Sequence, residues 1–247
     1  MAKSKMKWLV GGAVAVVAVG GAALYYSMAS TDAPAEASIE SAVASISSSQ
    51  TETASQAATT GTSADSLAGT WVVAPDSETF VGYRVQEELA GFGTFTAAGR
   101  TQDVEATLTF DGSAITDVQV TADLTGLTSD NSMRDGQLGR QGIQTDTYPT
   151  ATFVLTKAIE LDGVPENGET VEATATGDFT LHGVTRSIDI PLQGQFTNGY
   201  VVVVGSLDIT FADYGIEKPT SARVLGMEDH GVMEVQLLLQ QASTNGG

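Results

Sequence analysis

The sequence predicts one all-β domain of about eight antiparallel strands and one short helix, carried on an apolar N-terminal segment and a long linker. From Trp71 onward, apolar and polar residues alternate with a period of two, as between residues 104 and 111. This alternation is typical of strands with one buried face. Asn198-Gly199 lies between two apolar stretches and predicts a tight hairpin. The pattern fits a closed barrel, and it fits a two-sheet sandwich as well.

Residues 1–29 have the features of a signal anchor. Trp8 to Ala29 is a run of 22 residues without a charge, long enough to cross about 30 Å of hydrocarbon as a transmembrane helix. Lysines precede this run and none follows it directly, so we expect the domain on the extracytoplasmic side of a membrane. The alternative is a signal peptide cleaved near Ser27-Met28-Ala29, which would release a secreted domain.

Residues 30–69 consist largely of Ser, Thr and Ala, and we predict a disordered linker because such a segment buries too little apolar surface to offset its ordering entropy. Ile39, Val43 and Ile46 have helical spacing, which would allow a transient amphipathic turn. A flexible coil of this length spans about 35 Å root-mean-square. The folded domain is predicted over residues 70–240, followed by a flexible tail at 241–247.

One segment interrupts the strand pattern. Ser129-Asp130-Asn131 supplies capping residues, and the residues that follow, as far as Ile143, suit one short helix. Arg134 in this helix and Arg186 beyond a predicted turn are the polar residues of most interest. Either they lie at a barrel mouth and meet a polar head group, or an Arg134–Asp135 pair pins the helix over one end of the barrel.

Charge and residue types argue against several functions. Lys3, Lys5 and Lys7 are three of 11 basic residues, which leaves 8 basic against 30 acidic residues in the rest of the chain. Such a surface disfavours nucleic-acid binding. Cysteine is absent, and His182 and His230 fall in predicted turns beside glycine, so we expect no metal site. No Gly-x-Ser-x-Gly elbow or phosphate loop occurs, and the sequence supports no catalytic site.

The motifs of residues 71–240, taken in order, resemble the YceI-like family of lipid-binding (polyisoprenoid-binding) domains. The residues that carry the resemblance are Trp71 with Pro75-Asp76-Ser77, Gly82-Tyr83-Arg84-Val85, Leu127-Thr128-Ser129-Asp130 with Arg134-Asp135, Tyr148 to Phe153, Gly177 to Arg186, and Phe211 to Ile216. The resemblance implies an exported, lipocalin-like antiparallel barrel whose apolar interior accommodates an isoprenoid chain. Many members carry a His shortly after the first strand's aromatic residue, whereas here Val85 precedes Gln86-Glu87-Glu88.

On this basis we expect a non-enzymatic protein that holds an isoprenoid lipid, a quinone or a polyprenol, and needs no other cofactor. The apolar residues expected to line the interior are Tyr83, Val85, Phe95, Leu108, Phe110, Met133, Leu138, Phe153, Phe179, Phe211 and Met233, with Arg134 and Arg186 near the head group. Cations are sparse, which favours a neutral head group. The membrane is the other expected partner, and the sequence does not identify a protein partner. Two alternatives remain: an enzyme that pairs Tyr83 with a buried carboxylate on an apolar substrate, and a structural or adhesion module with a solid core.

Overall fold

The computed structural model describes residues 33–53, 67–91, 93–219 and 224–243. The chain divides into two units, Met1–Pro34 and Ala35–Gly247, and the strands and helices of the described residues belong to the second. The predicted transmembrane segment, Trp8 to Ala29, lies outside the described residues. Within the described ranges, no helix combines the length and the apolar character that a membrane crossing needs.

A single antiparallel sheet contains all the strands of the described residues. These are β1 (Gly69–Val73), β2 (Phe80–Leu89), β3 (Gly93–Thr101), β4 (Val104–Phe110), β5 (Ala114–Asp123), β6 (Thr128–Ser129), β7 (Thr150–Leu155), β8 (Ile159–Glu160), β9 (Thr170–Leu181), β10 (Val184–Thr197), β11 (Tyr200–Thr210), β12 (Val224–Met227) and β13 (His230–Gln241). The pairing order β1-β4-β5-β7-β9-β10-β11-β13 returns to β1, where Trp71 pairs with Gln241. The sheet is therefore a closed eight-stranded barrel, and the sandwich alternative is wrong.

Three strands of the barrel are interrupted and continue as a second strand. β2 follows β1 along the same partner, since Val73 pairs with Leu239 of β13 and Phe80 pairs with Gln236. In the same way β3 and β4 form one interrupted strand of the barrel, and β5 and β6 form another, separated by a short 3₁₀ turn. Strands β2, β3 and β6 pair with one another in that order. They extend the wall of the barrel beyond the point where β1, β4 and β5 meet.

The two ends of the barrel differ. The β1 end contains the start of β1 and the β10–β11 hairpin, whose Asn198 and Gly199 have φ values of 51° and 85°. Two successive positive φ values are the backbone of the predicted two-residue turn. The opposite end contains β12 and the helix α2 (Ser132–Arg140), and we call it the α2 end. Asn131 caps α2 by accepting from the N–H groups of Met133 and Arg134, as its residue type predicts.

The N-terminal helix α1 (Ile39–Thr53) corrects the prediction of a wholly disordered linker. Its apolar residues at helical spacing are buried against outward-facing apolar residues of β11 and β13, and this cluster contains Ile39, Ala42, Ile46, Val202, Val204 and Leu238. On its own, the segment buries too little apolar surface to remain ordered. The barrel provides the apolar surface that orders it. Residues 54–66 of the predicted linker lie outside the described residues.

An ion-pair network lies beside α1 on the barrel exterior. Glu234 of β13 is only 2% exposed and pairs with Arg84 and, at 3.2 Å, with Arg100. Arg100 also donates to the carbonyl oxygen of Ala35, just before α1.

At the other terminus, the flexible tail predicted for residues 241–247 begins one residue too early, since Gln241 is the last residue of β13. Its pairing with Trp71 closes the barrel.

Candidate functional site

The interior of the barrel contains two cavities in line along its length. The cavity toward the β1 end has a volume of about 180 Å³, and the cavity toward the α2 end has a volume of about 100 Å³. Val81, Ala151, Phe179 and Met233 border both cavities. We call these four residues the waist. The interior of the barrel therefore contains free volume on both sides of these four residues.

The β1-end cavity is apolar and owes its space to small residues. Inward positions of four neighbouring strands carry Ala106, Ala122, Ala151 and Ala175, each buried. Strand alternation directs these short side chains toward the barrel axis, where larger residues would fill the interior. Trp71, which is 2% exposed, forms part of the same wall. This cavity can hold hydrocarbon, and it offers almost nothing to a polar group.

The α2-end cavity has a polar side at its mouth. Glu87 of β2 and Arg134 of α2 both line it, with the guanidinium Nη2 3.7 Å from the Glu87 carboxylate oxygen. Arg134 also pairs with Asp130, and its guanidinium lies 5.6 Å from the ring centroid of Phe95. Asp135 does not pair with Arg134 as proposed; its carboxylate accepts from Ser129 instead. Arg134 is thus held at the cavity mouth with its charge already neutralised.

Tyr83 carries a hydroxyl group that is available to a ligand. The residue lines the α2-end cavity, and its buried hydroxyl has no hydrogen-bond partner among the described residues. Its ring lies so close to Gly99 that a Cβ there would come within 2.6 Å of it, so glycine is required opposite the ring. Burial raises the pKa of Tyr83 well above its ordinary value, and the nearby Arg134 offsets part of that rise. The hydroxyl therefore stays protonated and can donate.

Glu87 is a buried carboxylate, 5% exposed. Burial raises its pKa above the ordinary value of 4.5, while the Arg134 guanidinium lowers it and the Asp130 carboxylate raises it. A carboxylate in this position costs desolvation energy that its ion pair only partly recovers. Sequence reasoning missed Glu87 as a cavity residue. Its parity with Tyr83 and Val85 along β2 was the available signal, since alternate residues of a strand face the same side.

Most of the residues predicted to line the interior border one of the two cavities. Those at the β1-end cavity are Leu108, Phe110, Phe153, Phe179 and Met233. Those at the α2-end cavity are Tyr83, Val85, Arg134, Leu138, Phe179, Phe211 and Met233. Their contact with a ligand stays a prediction.

Three predicted residues line neither cavity. Met133 is 63% exposed because its position near the start of α2 turns it toward solvent. Phe95 pairs across the strands with Glu87 but lies at the rim, beneath Arg134. The half-exposed Arg186 donates to the carbonyl oxygen of Asp213 at 2.7 Å and pairs with its carboxylate at 2.9 Å. It therefore joins the start of β10 to the turn after β11.

Neither histidine belongs to the cavities. Nδ1 of His182 lies 2.9 Å from the carbonyl oxygen of Tyr214, and its ring packs on Tyr148 with centroids 4.3 Å apart. His230 lies at the surface beside Glu228 and Asp229. In the part of the chain that the structure describes, no three His, Cys, Asp or Glu side chains converge as metal ligands would. The chemistry available in the barrel is hydrocarbon contact with a few hydrogen bonds at one end.

A closed barrel with an apolar hollow and polar groups at one mouth defines a small β-barrel of the kind that binds apolar ligands. Residues 71–238 match the family model of the YceI-like domain. The chain belongs to this family, as its motifs indicated. A UPF0312 protein of Vibrio parahaemolyticus is 32% identical over 145 residues, which cover 53% of this chain and 71% of that protein. Protein YceI of Shigella flexneri is 32% identical over 114 residues, which cover 45% of this chain and 53% of that protein.

Two solved structures share the fold. The polyisoprenoid-binding domain from Saccharophagus degradans, implicated in plant cell wall breakdown, superposes with a TM-score of 0.54 at 17% identity, covering 70% of this chain and 98% of that one. BcnA of Burkholderia cenocepacia superposes with a TM-score of 0.50 at 20% identity, covering 65% of this chain and 96% of that one. At these identities the likeness supports the barrel fold alone.

Proposed function

We propose that the barrel binds an isoprenoid-type lipid, a quinone or a polyprenol, with its chain in the apolar hollow and its head group at the α2 end. The observation that carries this proposal is the pair of cavities that share the waist, with polar groups at one mouth only. Membership of the YceI-like family supports it, as does the fold shared with a protein described as a polyisoprenoid-binding domain. The domain acts as a carrier or reservoir and performs no chemistry on the lipid.

The dimensions of the hollow determine how a chain would enter it. A cavity of about 150 Å³ holds one benzene molecule, so each cavity has room for roughly one isoprene unit before any side chain moves. A longer chain must pass the waist, where Met233 has an unbranched, flexible side chain that can change rotamer. Each methylene removed from water then contributes about 0.8 kcal/mol. The interior favours a thin, flexible chain over a rigid ring system.

The head group follows from the charges at the mouth. Arg134 is paired with both Glu87 and Asp130, so it offers little net positive charge to a diphosphate. The Tyr83 hydroxyl can donate to a carbonyl or hydroxyl oxygen. It has no partner among the described residues, and a buried hydroxyl without a partner is unfavourable, so a ligand oxygen that accepts from it would be stabilised. A neutral oxygen-bearing head group, such as a quinone ring or a polyprenol hydroxyl, fits this site.

The proposal includes a membrane anchor and an extracytoplasmic location for the barrel. Three lysines followed by an uncharged run of membrane-spanning length support both. Alkaline extraction of membranes and protease protection of spheroplasts test them. We expect the chain to remain in the membrane pellet and the barrel to be accessible from outside. A chain released by alkali, or protected from external protease, would refute this part.

The ligand itself is tested by native mass spectrometry of the full chain expressed in its own host, with organic extraction of what it carries. We expect an added mass that corresponds to an isoprenoid lipid. The matched control is Ala175→Leu, which reduces the β1-end cavity. A full chain that carries no lipid and binds neither an added quinone nor an added polyprenol would overturn the proposal.

One observation favours an enzyme as the second candidate: the α2-end cavity combines Tyr83 with the buried carboxylate of Glu87. The raised pKa of Tyr83 keeps its hydroxyl protonated at neutral pH, so in such a reaction it would donate a hydrogen bond and would not act as a base. Incubation of the full chain with quinone or polyprenol, followed by mass analysis of the lipid, separates the two functions. Recovery of unchanged lipid supports binding alone, and a converted lipid whose formation Tyr83→Phe abolishes supports the enzyme.

A further inference from the structure

Two large apolar side chains are strongly exposed at the α2 end of the barrel. Met133 of α2 is 63% exposed and Leu225 of β12 is 65% exposed. Among the described residues the next such side chain is Val154 of β7, at 43%, on the outer face of the barrel wall. Single exposed apolar residues are common on protein surfaces. Met133 and Leu225 are of interest because both lie beside the α2-end cavity.

Both side chains lie beside residues that line the α2-end cavity. Arg134 follows Met133, and Val224 precedes Leu225, and each neighbour borders the cavity. Glu87 connects the two elements, since its carboxylate lies 3.7 Å from Arg134 and its backbone pairs with Met227 of β12. The exposed side chains therefore lie on two elements that flank one mouth. We call Met133 and Leu225 the rim pair.

The backbone holds the rim pair outward. In β12 the pairing with β2 shifts register between Val224 and Gly226, so Leu225 is the extra residue of a β-bulge. A bulge re-aims the side chain it inserts. Met133 is fixed in the first turn of α2, where its N–H donates to the cap residue Asn131 at 3.0 Å. The exposure of both follows from defined local structure.

The charges around Met133 and Leu225 indicate what kind of surface these side chains can contact. Among the described residues there, exposed acids outnumber exposed bases, with Glu88, Asp130, Glu217, Glu228 and Asp229 against Arg140 and Lys218. Such a rim is repelled by an anionic surface, whereas it tolerates zwitterionic head groups. A stable protein interface would need about 800 Å² on each partner, which two separate apolar side chains do not supply. A fluid bilayer accepts isolated apolar side chains without shape complementarity.

We infer that the rim pair is the surface through which the barrel touches a neutral lipid bilayer, so that its ligand passes between hydrocarbon and cavity without crossing water. This inference rests on the proposed function and specifies where exchange takes place. Insertion of Met133 and Leu225 brings the cavity mouth to the level of the lipid head groups. The step that depends on the rim pair is the exchange of ligand with a membrane. The final occupancy of the barrel does not depend on it.

The test measures the rate of loading with Trp71 as the reporter, because this tryptophan lines the β1-end cavity that receives the lipid chain, and bromine atoms on the end of that chain quench its fluorescence on contact. Trp8 is the other tryptophan of the chain and is replaced by phenylalanine throughout. The full chain is reconstituted in phosphatidylcholine vesicles, and a quinone with two isoprene units, the terminal one brominated, is added to the bilayer. A parallel arm adds the same quinone to the chain in detergent solution.

We expect the double variant Met133→Ser with Leu225→Ser to load about tenfold more slowly from the bilayer, because each apolar side chain contributes to contact with the membrane. Its final quenching, and its rate in detergent, should equal those of the parent. Val154→Ser makes the same kind of change away from the mouth and should load at the parent rate. Addition of anionic phosphatidylglycerol to the vesicles should slow the parent.

The outcomes separate the inference from the proposed function. A double variant that loads from vesicles at the parent rate overturns the rim pair as the bilayer contact, and so does one that slows equally in both arms. Faster loading from anionic vesicles contradicts the partner chosen from the charges. A parent whose Trp71 is quenched in neither arm refutes the proposed binding of an isoprenoid chain, and with it the exchange step that the rim pair would serve.

Discussion

Replacement of Ala175 by leucine tests whether the hollow is real and whether it is the binding site. Ala175 is 2% exposed and borders the cavity of about 180 Å³. Leucine adds three carbon atoms, each of which contributes about 0.8 kcal/mol when buried, or about 2.4 kcal/mol in all. In a fully packed core the same change costs about 1–3 kcal/mol through strain. We therefore expect the variant to be at least as stable as the parent.

The same three atoms displace an equal amount of ligand. The loss of about 2.4 kcal/mol of hydrocarbon burial weakens binding about fiftyfold. Urea denaturation measures the free energy of unfolding, and quenching of Trp71 by the same quinone with a brominated chain end measures the dissociation constant. Ala158→Leu at an exposed position is the control and should change neither. A destabilised Ala175→Leu variant that binds the quinone with parental affinity would refute both the free volume and its role.

Three further changes test the network, the cavity carboxylate and α1. Glu234→Gln should lower the free energy of unfolding by about 3 kcal/mol, since it removes the shared anion of a buried network; denaturation is the assay, and equal stability of variant and parent would contradict it. The pKa of Glu87 is raised in the folded state, so protonation of its carboxyl contributes to the free energy of unfolding. This contribution is fully present below pH 4.5 and is lost as the pH rises through the folded pKa. The free energy of unfolding of Glu87→Gln, relative to that of the parent, should therefore be higher at pH 7 than at pH 4. A lower relative value at pH 7 would mean that the Arg134 guanidinium affects the pKa of Glu87 more strongly than burial does. Ile46→Ser, which removes about 2 kcal/mol of apolar burial, should speed proteolysis within α1 but spare the barrel, whereas Ala44→Ser at an exposed position should not.

The strand pattern predicted the strands and their buried faces, because period-two alternation reports directly on which side of a strand is buried. It did not distinguish a barrel from a sandwich, and only the resemblance to the YceI-like family implied the barrel. The pattern failed where side chains lie near the ends of elements. Phe95 and Met133 are apolar, yet both lie at the rim, where an apolar type no longer indicates an inward direction. Arg186 was assigned to a head group from its place beside a turn, although an arginine there can equally bond the next loop, as it does with Asp213.

Helix α1 was missed although its docking site was visible in the sequence. Val201 to Val204 and Leu237 to Leu239 are unbroken apolar runs in strands that otherwise alternate. Such runs indicate strands buried on both faces, so something had to cover the outside of β11 and β13. Ile39, Val43 and Ile46 supplied the matching helical stripe. Either signal alone is weak, and their complementarity becomes evident only when the barrel places β11 beside β13.

The docking of α1 changes what the linker can do for a membrane-anchored barrel. A free linker over residues 30–69 would span about 35 Å root-mean-square and far more when extended. With α1 beginning at Ile39 on the barrel exterior, about nine residues separate it from the end of the proposed anchor, and they reach at most about 30 Å. If the proposed anchor is correct, this length limits how far the barrel could move from the bilayer. This short reach serves a protein that must touch the membrane to exchange its ligand, and it would hinder one that carries lipid across a wide gap.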